Sequence, residues 1–342
     1  MGAVWERVRA RLREERHGLG LRAAGLYPGV PRAGATELLT APGWLPDAPV
    51  PLESVRVEWD PAPPPPAVAD PKDGLPPGHR TYAEAMAALA PPAVFEDRPS
   101  YRLLHAALPA PSGPNTGAVL RLGPARYFDG VNVGEAVAHE LAAGTDGLPL
   151  RTRIGDPCDL SRRAALLAIT TLTVTESGRY VRHWRDPAKV AHAGGLFQVM
   201  PVGMFQPLSG GPGDLDPWRC MVREYSEELL GTGEDYGDGF DQESWPFHRA
   251  LTAARRDGRV RVHCLGLGVD PLTLAVDLLT VAVFRDEAFD TFFGERLVAE
   301  NAEGLVSLAA FDGTVPEPVQ PAGAAALDLA WRHRRALGVR AG

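Results

Sequence analysis

The sequence predicts an α/β (α+β) protein in which a mixed sheet is sandwiched between helices and preceded by a proline-rich N-terminal region. Apolar and β-branched runs typical of strands alternate with amphipathic helical patterns through residues 79–338. Within residues 160–338, strands precede and follow one strong helix and a second helix closes the chain, an order typical of a layered domain. The 33 prolines cluster in the first third, where they favour turns and extended segments.

Changes in composition divide the chain into four predicted parts. Residues 1–59 contain an amphipathic helix followed by an irregular region rich in glycine and proline. Residues 60–78, DPAPPPPAVADPKDGLPPG, predict a linker because tandem prolines favour extended polyproline geometry. Residues 79–159 predict an α/β region packed on the C-terminal domain, which spans residues 160–338.

Local patterns predict the individual elements. Asn132 is predicted to cap a helix over residues 132–143, because Glu135 follows three residues later, as in a capping box. Residues 101–108 are apolar and fit either a strand or a helix. The other predicted strands are residues 55–59, 120–128, 166–175, 180–184, 260–268, 274–284 and 305–309, and the other helices are residues 4–16, 82–89, 214–231 and 324–337.

Composition narrows the classes of partner. The formal net charge of −8 argues against nucleic acid as the main partner. The longest apolar run, near residues 272–284, is broken by Asp277 and is too short for a bilayer, so no membrane partner is expected. Cys158, Cys220 and Cys264 lack any CxxC spacing, which predicts a reduced, cytoplasmic protein. A homodimer is compatible with the sequence.

The most informative segment is residues 214–231, DLDPWRCMVREYSEELLG, which predict an amphipathic helix. Asp214 or Asp216 can cap its N-terminus, and Pro217 suits the first helical position. Residues at steps of four, three and four form one apolar stripe, which predicts a single buried face. The stripe consists of Trp218, Val222, Tyr225 and Leu229.

Three glutamates of this helix form a cluster on a different face. Glu224, Glu227 and Glu228 lie at i, i+3 and i+4, where like charges repel each other. A hard divalent cation with oxygen ligands would remove that repulsion, and Mg²⁺ is the usual choice. Such an ion would polarise a phosphorus centre and activate water. A solvated acidic face is the alternative interpretation of the same spacing.

Residues 223–231, REYSEELLG, resemble the core of the Nudix signature, R-E-U-x-E-E-x-G-U, in which U is apolar. The resemblance implies a Nudix-like domain over residues 160–338, with Glu224, Glu227 and Glu228 as ligands of Mg²⁺ or Mn²⁺. It also implies catalytic roles for Glu227, Glu228 and Arg223. One of the paired glutamates would assist the attacking water, and Arg223 would hold a helix glutamate by charge-assisted hydrogen bonds.

The function implied by the resemblance is Mg²⁺-dependent hydrolysis of a nucleotide-linked or other small organic diphosphate. In such domains a further acid from a distant loop often completes the site, and Glu300 and Glu303 are the candidates by position. The sequence departs from the signature at Leu215, where a glutamate is expected, and at Leu230, where the closing glycine is expected. These departures leave open a Nudix-like module that binds a ligand without cleaving it. An interaction protein that recruits a partner through residues 60–78 is a third hypothesis.

Overall fold

The structure, a computed structural model, is described for residues 2–68, 70–72, 74–92, 95–108, 117–186, 194–208, 214–233, 236, 239–301 and 303–342. Its helices and its mixed sheets confirm the predicted α+β class. The helices are α1 (Gly2–Glu14), α2 (Arg16–Gly25), α3 (Tyr82–Leu89), α4 (Tyr127–Ala143), α5 (Pro149–Ile154), α6 (Pro217–Glu224), α7 (Pro246–Arg256), α8 (Asp286–Phe292), α9 (Pro321–Arg332) and α10 (Arg334–Leu337). The strands are β1 (Val50–Pro51), β2 (Arg56–Trp59), β3 (Pro99–Ala107), β4 (Val119–Arg126), β5 (Leu167–Thr175), β6 (Arg179–Arg185), β7 (Phe197–Val199), β8 (Val202–Met204), β9 (Val260–Val269), β10 (Val276–Phe284) and β11 (Gly304–Ala310).

The main sheet is mixed because one of its strand pairs is parallel. Its strands follow the order β1-β9-β10-β5-β6-β11, while β7 pairs with β6 and β8 pairs with β5. Strands β10 and β5 run parallel, whereas β9 and β10 form an antiparallel pair. A second sheet, ordered β2-β4-β3, meets the main sheet where the Leu103 N–H donates to the Ala165 carbonyl at 2.8 Å. Residues 101–108, whose sequence fits either a strand or a helix, therefore lie mostly in a strand, β3.

Strand β10 shows why helices cover both faces of the main sheet. Its side chains alternate between the two faces, as the two-residue period of a strand requires. Leu278 and Phe284 join an apolar cluster with Tyr225, beside helices α6 and α7. Leu279 and Val283 join a second cluster with the alanines of α9. The sheet is therefore sandwiched between helices, as predicted. Among the described residues, no helix combines the length and apolar character needed to cross a membrane.

The main apolar core draws on every predicted part of the chain. It includes Trp5, Val68, Tyr101 and Tyr225, which come from the four parts in order. The proline-rich segment packs on its neighbours, since the Val68 N–H donates to the Arg162 carbonyl at 3.0 Å. The domain boundaries drawn from composition stay predictions.

The predicted cap at Asn132 is wrong. Helix α4 begins at Tyr127, where Asp129 accepts a hydrogen bond from the backbone N–H of the residue before the helix. Asn132 is buried inside the helix, and its amide has long-range partners instead. It accepts from the Ala83 N–H at 2.9 Å and donates to Asp70 at 3.0 Å. Tertiary hydrogen bonds therefore replace the local cap that the sequence pattern suggests.

A buried carboxyl group on β10 links stability to pH. Asp277 is 8% exposed and accepts a hydrogen bond from Thr170 Oγ1 at 2.8 Å. Burial raises the pKa of Asp277 to about 6, from an ordinary value of 3.8. Asp277 therefore lowers the free energy of unfolding increasingly as pH rises from its pKa in the unfolded chain to its pKa in the folded protein.

Above pH 6 we expect Asp277→Asn to stabilise the protein by up to about 3 kcal/mol. This is the free energy that corresponds to the difference between the unfolded and folded pKa values of Asp277. The gain should be small near pH 3, about one unit below the unfolded value of 3.8, because Asp277 is then mostly protonated in both states. Urea unfolding at both pH values measures the free energy of unfolding, and the exposed Asp47→Asn is the control. An equal gain at both pH values would contradict the assignment.

Candidate functional site

Helix α6 begins as its sequence predicts, and Asp216 is its cap. The Asp216 side chain accepts from the Trp218 N–H at 2.8 Å, and Pro217 occupies the first helical position. Asp214, the other candidate, instead accepts from the Leu208 N–H and forms an ion pair with Arg219. The predicted apolar stripe is buried throughout. It consists of Trp218, Val222, Tyr225 and Leu229, each at most 3% exposed.

The helix continues as a π-helical turn, Tyr225–Leu229, which contains two of the three glutamates. The Leu230 N–H donates back to the Ser226 carbonyl, and Gly231 ends the turn with a left-handed φ of 68°. A π turn takes up one residue more than an α turn, and such turns are frequent at functional sites. This extra residue coincides with the glycine that stands one position later than in the Nudix signature.

Glu224 and Glu228 are held against strand β8. A Cβ atom at Gly203 would overlap the carboxylate of Glu224, so that carboxylate lies directly on the glycine backbone. Glu228 Oε2 accepts from the Val202 N–H at 3.1 Å. Burial raises the pKa of Glu228 well above its ordinary value, and the charges of Glu303 and Glu224 raise it further. The two glutamates therefore lie half-buried beside β8, where their negative charges repel each other.

Glu227 has a different environment. The Tyr236 hydroxyl donates to Glu227 Oε1 at 2.5 Å, and burial together with the Glu227 charge raises the pKa of Tyr236. In the part of the chain that the structure describes, no group of three or more His, Cys, Asp or Glu side chains is placed to hold a metal ion. The ligand set predicted from the helix, Glu224, Glu227 and Glu228, therefore stays a prediction.

Arg223 ties the helix to the segments on either side of it. Its Nη1 donates to Gln242 Oε1 at 2.8 Å, and its Nη2 donates to the Gln206 carbonyl at 2.9 Å. The expected hydrogen bond to a helix glutamate is not among the contacts of Arg223 with the described residues. Gln242 is fully buried and also donates to the Arg219 carbonyl at 2.8 Å. Sequence reasoning missed Gln242, because no local pattern distinguishes it within an acidic, glycine-rich segment.

Of the two loop acids proposed by position, Glu303 lies at the site. The charge of Glu303 raises the pKa of Glu228 more than the charge of Glu224 does. Arg185, at the end of β6, donates from Nη1 to Glu303 Oε2 at 2.6 Å and from Nη2 to Glu303 Oε1 at 3.1 Å. Glu300 is exposed to solvent. The arginine was visible in the sequence only as one of several polar residues on a hairpin strand.

The side chains at this site fit a hard divalent cation in their chemistry. Glu224, Glu228 and Glu303 offer only oxygen donors. The raised pKa of Glu228 reflects burial first and then repulsion by the other two carboxylates, and a cation would relieve that repulsion. Mg²⁺ commonly binds through one or two carboxylates together with the phosphate oxygens of a substrate. An open pair of carboxylates therefore suits a cation that arrives with a phosphorylated ligand.

Comparisons with known proteins give no family for this chain. No model of a protein family matches the sequence, and no curated protein matches it.

Proposed function

We propose that this protein is a Mg²⁺- or Mn²⁺-dependent hydrolase of a nucleotide-linked or other organic diphosphate. The observation that carries the proposal is the placement of the Glu224 and Glu228 carboxylates on the backbone of β8, next to Glu303. Like charges in a desolvated region are costly unless a cation or a proton neutralises them. A diphosphate accompanied by a divalent cation supplies that neutralisation.

The chain's own residues take the following roles in this proposal. Glu224 and Glu228 would hold the cation, which when bound withdraws charge from the phosphate groups. Glu303 accepts a proton from the attacking water, and Arg185 orients its carboxylate through two hydrogen bonds. Glu227, oriented by the Tyr236 hydroxyl, supplies the third carboxylate of the helix. Arg223 positions the helix through its contacts with neighbouring segments, without touching the substrate.

The test is a panel of dinucleoside diphosphates, nucleoside diphosphate sugars and alkyl diphosphates, incubated with Mg²⁺, Mn²⁺ or EDTA. We expect at least one compound to yield two phosphate monoesters. When the reaction runs in water labelled with oxygen-18, one of the two products should carry the label. EDTA should abolish the reaction. If no compound is cleaved with either cation, or if EDTA has no effect, the proposed hydrolysis is wrong.

A binding module that does not cleave its ligand is the second candidate. It is favoured by Leu215, which stands where the signature has a glutamate. The same panel separates the two candidates. Thermal stabilisation by a nucleotide that needs no metal and gives no product would favour the binding module.

The reduced, cytoplasmic setting predicted from the cysteines also remains part of the proposal. Cys158, Cys220 and Cys264 are all free thiols. Burial raises the pKa of each to about 12, so the unreactive thiol form dominates at neutral pH. This state is the one expected for structural cysteines in a reducing compartment.

A further inference from the structure

The end of the glutamate helix is closed by a distant loop. A helix leaves its last carbonyl groups without partners in the helix itself, so they must bond elsewhere. Here the Leu229 carbonyl accepts from the Val298 N–H at 3.0 Å. The Glu228 carbonyl accepts from Asn301 Nδ2 at 3.3 Å. Val298 and Asn301, in the loop between α8 and β11, therefore act as the C-terminal cap of the helix.

The other end of the Asn301 side chain shapes the backbone that carries Glu303. Asn301 Oδ1 accepts from the Glu303 N–H at 3.0 Å and from the Gly304 N–H at 2.9 Å. A hydrogen bond with the buried His183 adds a further anchor. One amide side chain therefore connects the backbone of Glu228 to the backbone of Glu303.

The Glu303 side chain is fixed independently of its backbone. Arg185 holds both carboxylate oxygens, and the Asp186 N–H donates to the Glu303 carbonyl at 2.9 Å. Because its carboxylate and its backbone are both held, Glu303 would keep its position if the loop separated from the helix. Asn301 is then a direct link, beside the Val298 contact, between the backbone of Glu228 and the backbone of Glu303.

We propose that Asn301 is a positioning residue that couples the π-helical end of the glutamate helix to the loop bearing Glu303. The proposal rests on the proposed hydrolase function, because it assigns Asn301 an effect on the reaction that passes through Glu303. Residues that orient metal-binding or catalytic side chains typically change activity by about 10- to 100-fold when they are replaced.

The informative substitution is Asn301→Asp. An aspartate keeps an acceptor for the N–H groups of Glu303 and Gly304 but loses the donor to the Glu228 carbonyl. We expect kcat to fall about 10- to 100-fold with little change in KM, because the two acids lose their mutual alignment. Glu303→Gln should lower kcat at least as much. The double variant should be no slower than Glu303→Gln, since Asn301 acts through Glu303.

Asp312→Ala is the matched control, because Asp312 makes a similar turn at the other end of β11 by accepting from the Thr314 N–H at 2.9 Å. Its kcat should match that of the unmodified protein. Losses that multiply in the double variant would show that Asn301 does not act through Glu303 and would overturn the proposal. Equal losses in Asp312→Ala and Asn301→Asp would do the same.

A second readout separates this inference from the hydrolase proposal. Hydrogen exchange at the Val298 amide reports docking of the loop on the helix, whether or not the protein turns over a substrate. Asn301→Asp should accelerate that exchange about tenfold, whereas Asp312→Ala should not. Faster exchange without any turnover would reject the hydrolase function and keep the coupling. Unchanged exchange would reject the coupling.

Discussion

Replacing Glu228 by glutamine should lower kcat for diphosphate hydrolysis by at least about 10²-fold, because the cation would lose one of the two carboxylates proposed to hold it. Glutamine keeps the size of the side chain and an oxygen that accepts from the Val202 N–H. It removes the carboxylate charge that Glu224 and Glu303 repel. The folded protein should therefore remain at least as stable while the affinity for Mn²⁺ and the turnover both fall.

Steady-state kinetics and Mn²⁺ titration would measure this effect, with the exposed Glu287→Gln on α8 as the control. Gly203→Ala provides an independent route to the same site. Its new methyl group would displace only the flexible end of Glu224, so turnover should fall about 10²-fold with little loss of stability. Unchanged Mn²⁺ affinity and turnover in both Glu228→Gln and Glu227→Gln would show that the helix is not part of the active site.

The second large effect concerns a buried ion pair that joins α1 to α4. Arg9 Nη1 lies 2.5 Å from Glu135 Oε2, and the two side chains are 5% and 9% exposed. Arg9→Ala would leave the buried carboxylate of Glu135 without this partner, and breaking such a pair typically costs about 3–5 kcal/mol. Because Arg16 also interacts electrostatically with Glu135, we expect the lower end of that range.

Urea unfolding would give this free energy, and the double variant Arg9→Met with Glu135→Leu is the informative control. Replacing both charges by apolar side chains of similar size removes the desolvation cost together with the attraction. The double variant should recover part of the stability that Arg9→Ala loses, but not all of it, because the buried Arg16 then lacks the charge of Glu135. A loss below about 1 kcal/mol in Arg9→Ala would contradict this account, because it is the size typical of an exposed pair.

The local elements of the fold followed from the sequence. Pro217 and the apolar stripe from Trp218 to Leu229 predict a helix with one buried face, and the structure confirms both features. The strands of the second half were predicted from β-branched runs because those residues suit a pleated, buried surface. Helix α7 was missed, although Pro246 stands at its first position and Leu251 packs in the core.

The arrangement of the acidic side chains needed the tertiary structure. Spacing placed Glu224, Glu227 and Glu228 together on the helix, but only the tertiary structure gave Glu224 and Glu228 their contacts with β8 and gave Glu227 its hydrogen bond from Tyr236. In the same way, no sequence pattern distinguished Glu303 from Glu300.

The sequence by itself therefore determined the fold class, most of the elements and the helix that carries the acids. The tertiary structure decided which acids meet, where Asn132 finds its partners and how Asn301 closes the helix. The physical reason lies in the range of the interactions. Helix and strand periodicity arises between residues a few positions apart, whereas the site depends on hydrogen bonds and charges between residues that only the folded chain brings together.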